Sequence, residues 1–278
     1  LTKNSYILLF KFIFAILIWE SKYRFGGGAL RAVGLTHRGR ERSRNEDSYL
    51  VKTGEDLSIL AVADGMGGHM AGDVASALAI GVFERYWAEV SRNRPPSPDR
   101  FAEIIENLII KANNLILEEA ARDSSKEGMG TTLTVGLLSG LSLVIGHIGD
   151  SRAYLVSKDA LTMLTEDHSL LEQLIQAGRM SPEEAEGHPK RHILVRALGT
   201  SAEVKVDLIP VELNEGDALL FCSDGLTSMV PDEEIHRAAL DHTDPLPAAQ
   251  ALIRLANERG GCDNITVVYA TDIGRRGV

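Results

Sequence analysis

The sequence predicts an α+β fold built in layers, with sheets and helices stacked rather than alternating in a regular βαβ repeat. Two observations carry this. Three strand candidates, 131–138, 141–148 and 151–156, are separated only by Ser139-Gly140 and Gly149-Asp150, so they read as antiparallel hairpins. The helices come in pairs instead, 71–90 with 98–120 and Pro231–Leu240 with Pro247–Arg259.

In chain order, the apolar run LSILAVA at 57–63 reads as a buried strand that ends in an Asp64-Gly65 turn. Residues 71–90 place Val74, Ala77, Leu78, Gly81 and Val82 at helical spacing. The next helix, 98–120, sets Phe101, Ile104, Ile105, Leu108, Ile109, Leu115 and Ile116 on one stripe, behind a Ser97 cap and a first-turn Pro98. Residues 169–188 read as an exposed helix containing a Ser181-Pro-Glu-Glu184 capping box. Residues 216–223 form a strand that runs into Ser223-Asp224-Gly225. The last helix stops at Gly260-Gly261, and NITVVYA at 264–270 is the final strand.

The bulk numbers suit one large folded domain with an appendage: 278 residues, 44% apolar and 24% charged. A formal charge of −10 opposes phosphate backbones, so no nucleic-acid partner is expected. The two cysteines, Cys222 and Cys262, are too few for a disulfide framework and form no CxxC zinc pattern. Six residues after each stand Ser228 and Val268 rather than the arginine a cysteine phosphatase requires.

Tyr6–Trp19 is apolar except for Lys11, and as a helix would span about 21 Å against a hydrocarbon core of roughly 30 Å. Three readings fit it: residues from a misassigned start, a membrane anchor, or a signal peptide. As an anchor it would contact the membrane through residues 6–19, and Lys22, Arg24, Arg31 and Arg38 would hold the rest in the cytoplasm. The expected organisation is therefore an N-terminal extension at 1–28, a catalytic domain at 29–273 and a tail at 274–278, cytoplasmic and monomeric.

The aspartates fall where strands end. Asp64 and Asp224 each follow a strand and precede a glycine, Asp150 lies between two strands, and Asp263 precedes the last one. Strand ends are rigid platforms, and a glycine lets the backbone approach closely, so the Gly65 carbonyl joins the candidates. An all-oxygen set suits Mg²⁺ or Mn²⁺. A single Asp-Gly is no more than a turn signal; four such sites together carry the reading.

Thr36-x-x-Gly39-x-x-Arg42-x-x-Asn45-Glu-Asp47 and Asp64-Gly-Met-Gly-Gly-His69 occur in order with Gly130-Thr-Thr-Leu133 and Gly146-His-Ile-Gly-Asp-Ser-Arg152. Leu164-Thr-Glu-Asp-His-Ser169, Arg196-Ala-Leu-Gly199, Ser223-Asp-Gly225 and Asp263-Asn-Ile-Thr-Val267 follow. Over residues 31–271 this resembles the metal-dependent protein phosphatases (protein phosphatase 2C-like) in their bacterial form. The resemblance implies a four-layer αββα sandwich with two antiparallel sheets flanked by helices. It implies hydrolysis of phosphoserine and phosphothreonine by a hydroxide bridging two Mn²⁺ or Mg²⁺ ions, in opposition to a Hanks-type kinase. Asp64 would bridge the ions, the Gly65 carbonyl would join the second, Asp224 and Asp263 would complete the first, and Asp47 would act on the second with Glu46 beside it. Asp150 and Asp224 would hold a third, weaker ion, with Asp167 a softer candidate. Arg42 would grip the phosphate.

The proton donor stays open among His69, His168, His188 and water, because Met66 stands where animal members carry a histidine. His37 replaces an aspartate usual in the family. Two alternatives remain beside the enzyme. One is a phosphoprotein-binding pseudophosphatase, which would need a lost ligand although Asp64, Asp224 and Asp263 are all present. The other is a dedicated switch phosphatase with a single target.

Overall fold

The computed structural model describes residues 30–67, 71–91, 95–185, 187–190 and 192–274. Its strands form two sheets in which every pairing is antiparallel. The first sheet holds β1 (Arg31–His37), β7 (Arg152–Val156), β8 (Leu161–Met163), β10 (Ala218–Cys222) and β11 (Ile265–Thr271), in the order β1-β11-β10-β7-β8. The second holds β2 (Asp47–Thr53), β3 (Ser58–Met66), β5 (Leu133–Ser139), β6 (Ser142–Ile148) and β9 (Asp207–Glu212) in that order, with β4 (Gly130–Thr131) on the end of β3.

Strand alternation sends side chains to two different cores. From β3, Leu60 and Val62 enter the space between the sheets, while Ile59, Ala61 and Ala63 face outward under helices. From β11, Val268 and Ala270 point inward, and Ile265, Val267 and Tyr269 point outward. Phe221, fully buried, anchors the inter-sheet core from β10. Helices α1 (Gly72–Val90) and α2 (Phe101–Arg122) cover the second sheet, with Phe83, Phe101, Ile105 and Ile109 buried beneath them. After two short helices, α3 (Leu170–Gln176) and α4 (Pro182–Ala185), and a single turn, α5 (Asp224–Thr227), come α6 (Asp232–Leu240) and α7 (Pro245–Glu258). These last two cover the first sheet with Ile235, Leu252 and Ala256. Three separate apolar cores in series give the expected αββα sandwich. Each fully buried Leu, Ile or Phe in them contributes about 1.5–3 kcal/mol. At Gly146 a Cβ would lie 2.2 Å from Ile105 Cγ2, so the bare backbone is what lets α2 seat on β6.

Two expectations need correction. Asp64-Gly65 is not a turn: β3 continues to Met66 because Gly65 and Met66 pair with Thr131 and Gly130 of β4. Residues 169–188 are not one helix. Gly178 takes a φ of +64°, and the Gly178 and Arg179 N–H groups bond back to the Ile175 and Leu174 carbonyls, which ends α3. The chain restarts at Ser181, whose Oγ accepts from the Glu184 N–H at 3.2 Å while Glu184 accepts from the Ser181 N–H at 2.8 Å. The expected extension over 6–19 lies outside the described residues. Among the described residues no helix is long and apolar enough to cross a membrane.

Candidate metal centre

The two sheets meet at one rim, and five of the aspartates come to it from both sides. Asp47 opens β2 and lies directly opposite Asp64 of β3 in the ladder. Asp224 opens α5 immediately after β10, and Asp263 stands two residues before β11. Asp150 arrives from the β6–β7 turn. A cleft of 460 Å³ opens here, with Arg42, Asp64, Gly65, Asp150, Asp224 and Asp263 on its walls. A second cleft of 470 Å³ adjoins it and shares Asp150, Asp224 and His192.

Asp47 is held by hydroxyls. Its Oδ2 accepts from Thr266 Oγ1 at 2.6 Å and from Ser223 Oγ at 2.8 Å, one from each of the two central segments of the opposite sheet. Thr266 Oγ1 also lies 2.7 Å from Thr36 Oγ1, which in turn accepts from Asn45 Nδ2 at 2.7 Å. Asp47 Oδ1 is buried with no hydrogen-bond partner. Thr266→Val keeps the shape and removes one donor to a buried carboxylate. The expected cost is about 1.5–3 kcal/mol, read as a lowered thermal midpoint and a weaker Mn²⁺ affinity by calorimetry.

The electrostatics of the rim are those of crowded like charges. Burial raises Asp47 to about 7, with added repulsion from Asp224 and Asp263, against which the Thr266 and Ser223 hydrogen bonds pull down. Burial raises Asp150 to about 8, helped by Asp224 and Asp167. Asp64 is pushed well above the usual carboxylate range by burial and then by Asp47, Asp224, Asp150 and Asp263. Glu46 is raised too, by burial and by Asp73.

The carboxylates do not form a closed cage. Among the described residues no three His, Cys, Asp or Glu side chains stand as a ready-made metal cluster. Several take protein partners instead: Asp263 Oδ2 pairs with Arg42 Nη2 at 2.7 Å, and Asp224 Oδ2 lies 3.3 Å from His192 Nδ1. The donor set nevertheless fits hard divalent cations. Five mutually repelling carboxylates, one of them with an orphaned buried oxygen, need positive charge between them, and each offers oxygen to a cation.

Of the histidines weighed as proton donors, His69 lies outside the described residues. His168 is a buried brace rather than a donor to the cleft. Its Nδ1 accepts from the Gly149 N–H at 3.1 Å and its Nε2 meets Asp207 Oδ2 at 3.0 Å, which holds the turn bearing Asp150. His188 lines neither cleft and accepts from the Lys190 N–H at 3.1 Å. Asp167 lines the adjoining cleft but is engaged by Arg152 through both carboxylate oxygens, at 2.9 and 2.7 Å.

Sequence reasoning missed two contributors. His192 faces both clefts from a segment without periodicity, so nothing in the sequence singled it out. Asn264 was legible only as part of a motif. Its Oδ1 accepts from the Glu46 N–H at 2.8 Å, and its Nδ2 donates to the Arg38 and Arg44 carbonyls at 2.9 and 2.8 Å. One amide thereby ties the whole Arg42 loop to the Asp263 segment.

The protein phosphatase 2C family model matches residues 33–256. The serine/threonine phosphatase stp of Listeria innocua is 41% identical over 234 residues, covering 84% of this chain and 92% of its own. The crystal structure of the Mycobacterium tuberculosis serine/threonine phosphatase PstP/Ppp superposes with a TM-score of 0.78 at 41% identity, over 87% of this chain and 98% of that one. The catalytic domain of PstP in complex with two manganese ions superposes at 0.76 with 40% identity, over 87% and 97%. With the family model matching residues 33–256 and these relatives matching over most of their length, the chain belongs to the protein phosphatase 2C family.

Proposed function

We infer that the protein is a metal-dependent serine/threonine protein phosphatase, hydrolysing phosphoserine and phosphothreonine on other proteins. The observation that carries this is the meeting of Asp64, Asp150, Asp224 and Asp263 at one cleft that also holds Arg42, with Asp47 paired opposite Asp64 in the strand ladder. Asp64, the Gly65 carbonyl, Asp224 and Asp263 would hold two Mn²⁺ or Mg²⁺ ions, with Asp47 acting on the second. Asp150 and Asp224 would hold a third, weaker one. When bound, the ions lower the pKa of a shared water and offset charge on the phosphoryl oxygens.

The residues of the chain do the rest. Arg42, free to swing because its side chain is 54% exposed, offers a planar fork to the phosphate. Arg42 pairs with Asp263 at 2.7 Å, and a cation held by Asp263 would free Arg42 for the phosphate. Ser223, Thr266 and Asn264 keep the carboxylates and the Arg42 loop in fixed positions, so little reorganisation accompanies the reaction. Among the described residues the two cysteines offer no nucleophile for a covalent route: Cys222 is buried and pushed up to about 12 by that burial, and Cys262 has no arginine six residues on. His69 would complete the set as proton donor.

Because phosphoserine and phosphothreonine are made by protein kinases, the partners are such a kinase and its targets. The catalytic unit spans 29–273 and acts in the cytoplasm as a monomer, and membrane contact would run through residues 6–19 if they serve as an anchor rather than come from a misassigned start. Phosphate release from a phosphothreonine peptide tests the reading. Turnover is expected with Mn²⁺, and none with EDTA or after Asp224→Asn. Equal activity in all three would end the metal-centred reading, and binding without turnover under any metal would favour the pseudophosphatase.

A further inference from the structure

We propose that His37 is a positioning residue that holds the Arg42 loop through the lone pair of its Nδ1, and that this makes the grip on phosphate dependent on pH. The proposal rests on the reading of Arg42 as the phosphate-binding residue.

His37 is the last residue of β1, paired with Ile265 of β11. Its Nδ1 faces two donors. The Gly39 N–H points at it from 2.9 Å, and Asn257 Nδ2 of α7 lies 3.2 Å away. A backbone N–H can only donate. The Asn257 amide is pinned as a donor as well, since the same Nδ2 bonds to the Ile253 carbonyl at 2.9 Å. Two fixed donors leave no room for a proton on Nδ1, so the ring is the neutral tautomer with its hydrogen on Nε2. The bond to the residue two positions on is the one that Asn or Asp makes in an Asx turn, here made by an imidazole that can titrate.

What this bond holds is a tight corner. Gly39 sits at a φ of +79°, so close to the next segment that a Cβ there would lie 2.1 Å from the Asp263 carbonyl oxygen. From this corner the loop runs to Arg42. Arg40 and Glu41 donate to the Gly261 carbonyl at 2.7 and 3.3 Å, and Asn264 takes up Arg38 and Arg44. His37 is the anchor at the start of that series. Protonation of Nδ1 sets N–H against N–H at both contacts and places a cation beside Arg38 and Arg40 on the same loop. From α7 the facing group is the neutral Asn257 amide, which offers no compensation. Burial first, then Arg38 and Arg40, lower the basicity of the ring, so the anchor is intact at neutral pH and is lost below the ordinary histidine range.

The test compares wild type with His37→Asn, which restores the Asx-turn acceptor without a titrating group, and with His37→Leu, which has none. KM for a phosphothreonine peptide and inhibition by inorganic phosphate are measured with saturating Mn²⁺ between about pH 5.5 and about pH 8. The site carboxylates titrate in all three proteins and cancel in the ratios. Near pH 8, wild type and His37→Asn are expected to share one KM, and His37→Leu to have a KM raised about three- to tenfold, with kcat little changed. Towards pH 5.5 the wild-type KM should climb towards that of His37→Leu while His37→Asn stays low. In NMR spectra of the Mg²⁺-loaded protein, the Gly39 amide should titrate in wild type and not in His37→Asn.

A wild-type to His37→Asn ratio that is flat with pH, or a His37→Leu protein with the wild-type KM, overturns the proposal. If none of the three proteins turns over phosphopeptide, the phosphatase reading fails on its own. The Gly39 titration then decides the anchor alone: a Gly39 amide that does not respond to pH overturns it.

Discussion

Asp64→Asn is expected to abolish turnover and, at the same time, to make the metal-free protein more stable. The loss of activity follows from position: Asp64 stands centrally among the carboxylates, feeling Asp47, Asp224, Asp150 and Asp263 at once. Removing its charge should cost about a thousandfold or more in kcat with saturating Mn²⁺, beyond what one missing oxyanion donor costs elsewhere. The gain in stability follows from the same crowding. An amide of equal size removes a buried carboxylate crowded by Asp47, Asp224, Asp150 and Asp263, worth a rise of about 3–8 °C in the thermal midpoint measured in EDTA. The pH dependence gives the sign an independent check. Asp47 and Asp150 are raised from 3.8 to about 7 and about 8 in the folded state, so the native protein binds more protons than the unfolded chain across that interval. The contribution of these two carboxylates to metal-free stability therefore falls as pH rises from about 4 to about 8. The slope should be shallower in Asp64→Asn, and Mn²⁺ should reverse it in wild type. A destabilised Asp64→Asn protein in EDTA would show that the rim is not electrostatically strained.

Gly65→Ala is expected to damage the fold itself. A Cβ at Gly65 would lie 2.1 Å from the Gly72 carbonyl oxygen and 2.6 Å from that of Glu46. Both are backbone atoms and cannot rotate away. Gly72 begins α1, and the Glu46 carbonyl already accepts the Gly65 N–H at 3.2 Å, so the methyl must either lift the helix or part β2 from β3. We expect a loss of about 3 kcal/mol or more, with lower soluble yield and no turnover. Gly81→Ala is the control. It sits inside α1 with only the end of the flexible Arg85 side chain near, at 3.4 Å, and should stabilise by about 0.5–1 kcal/mol. Thermal denaturation of the pair, measured together, separates a local clash from a general intolerance of alanine.

Much of this architecture was readable in the chain because burial on both faces leaves a strong signal. The runs at 57–63, 131–138 and 264–270 are rich in apolar residues, since their alternating faces enter different cores. The stripe from Phe101 to Ile116 needed no structure to place it. Strands β1 and β2 were not seen. Polar residues such as Thr36, Ser48 and Lys52 break their alternation. Strand β9 lies at a sheet edge and carries Pro210, which reads as a breaker but costs an edge strand nothing. The aspartates were legible as types in a frame, whereas the direct pairing of Asp47 with Asp64 required knowing that 47–53 is a strand at all. The hydroxyls of Ser223 and Thr266 could not be assigned from sequence, because their partner is 176 and 219 positions away.

The order of strands in the first sheet has a consequence for how the protein is made. Strand β11, the last element of the fold, is laid between β1, the first, and β10. Until it arrives, β1 has no neighbour in its sheet, Thr266 is missing from Asp47, and Asp263 and Asn264 have not brought the Arg42 loop to the rim. A growing chain can complete both of its helix pairs and still lack the centre. The hydrolytic activity therefore switches on only when the final strand has left the ribosome and closed the sheet, and a chain cut short before residue 265 remains silent however well the rest has folded.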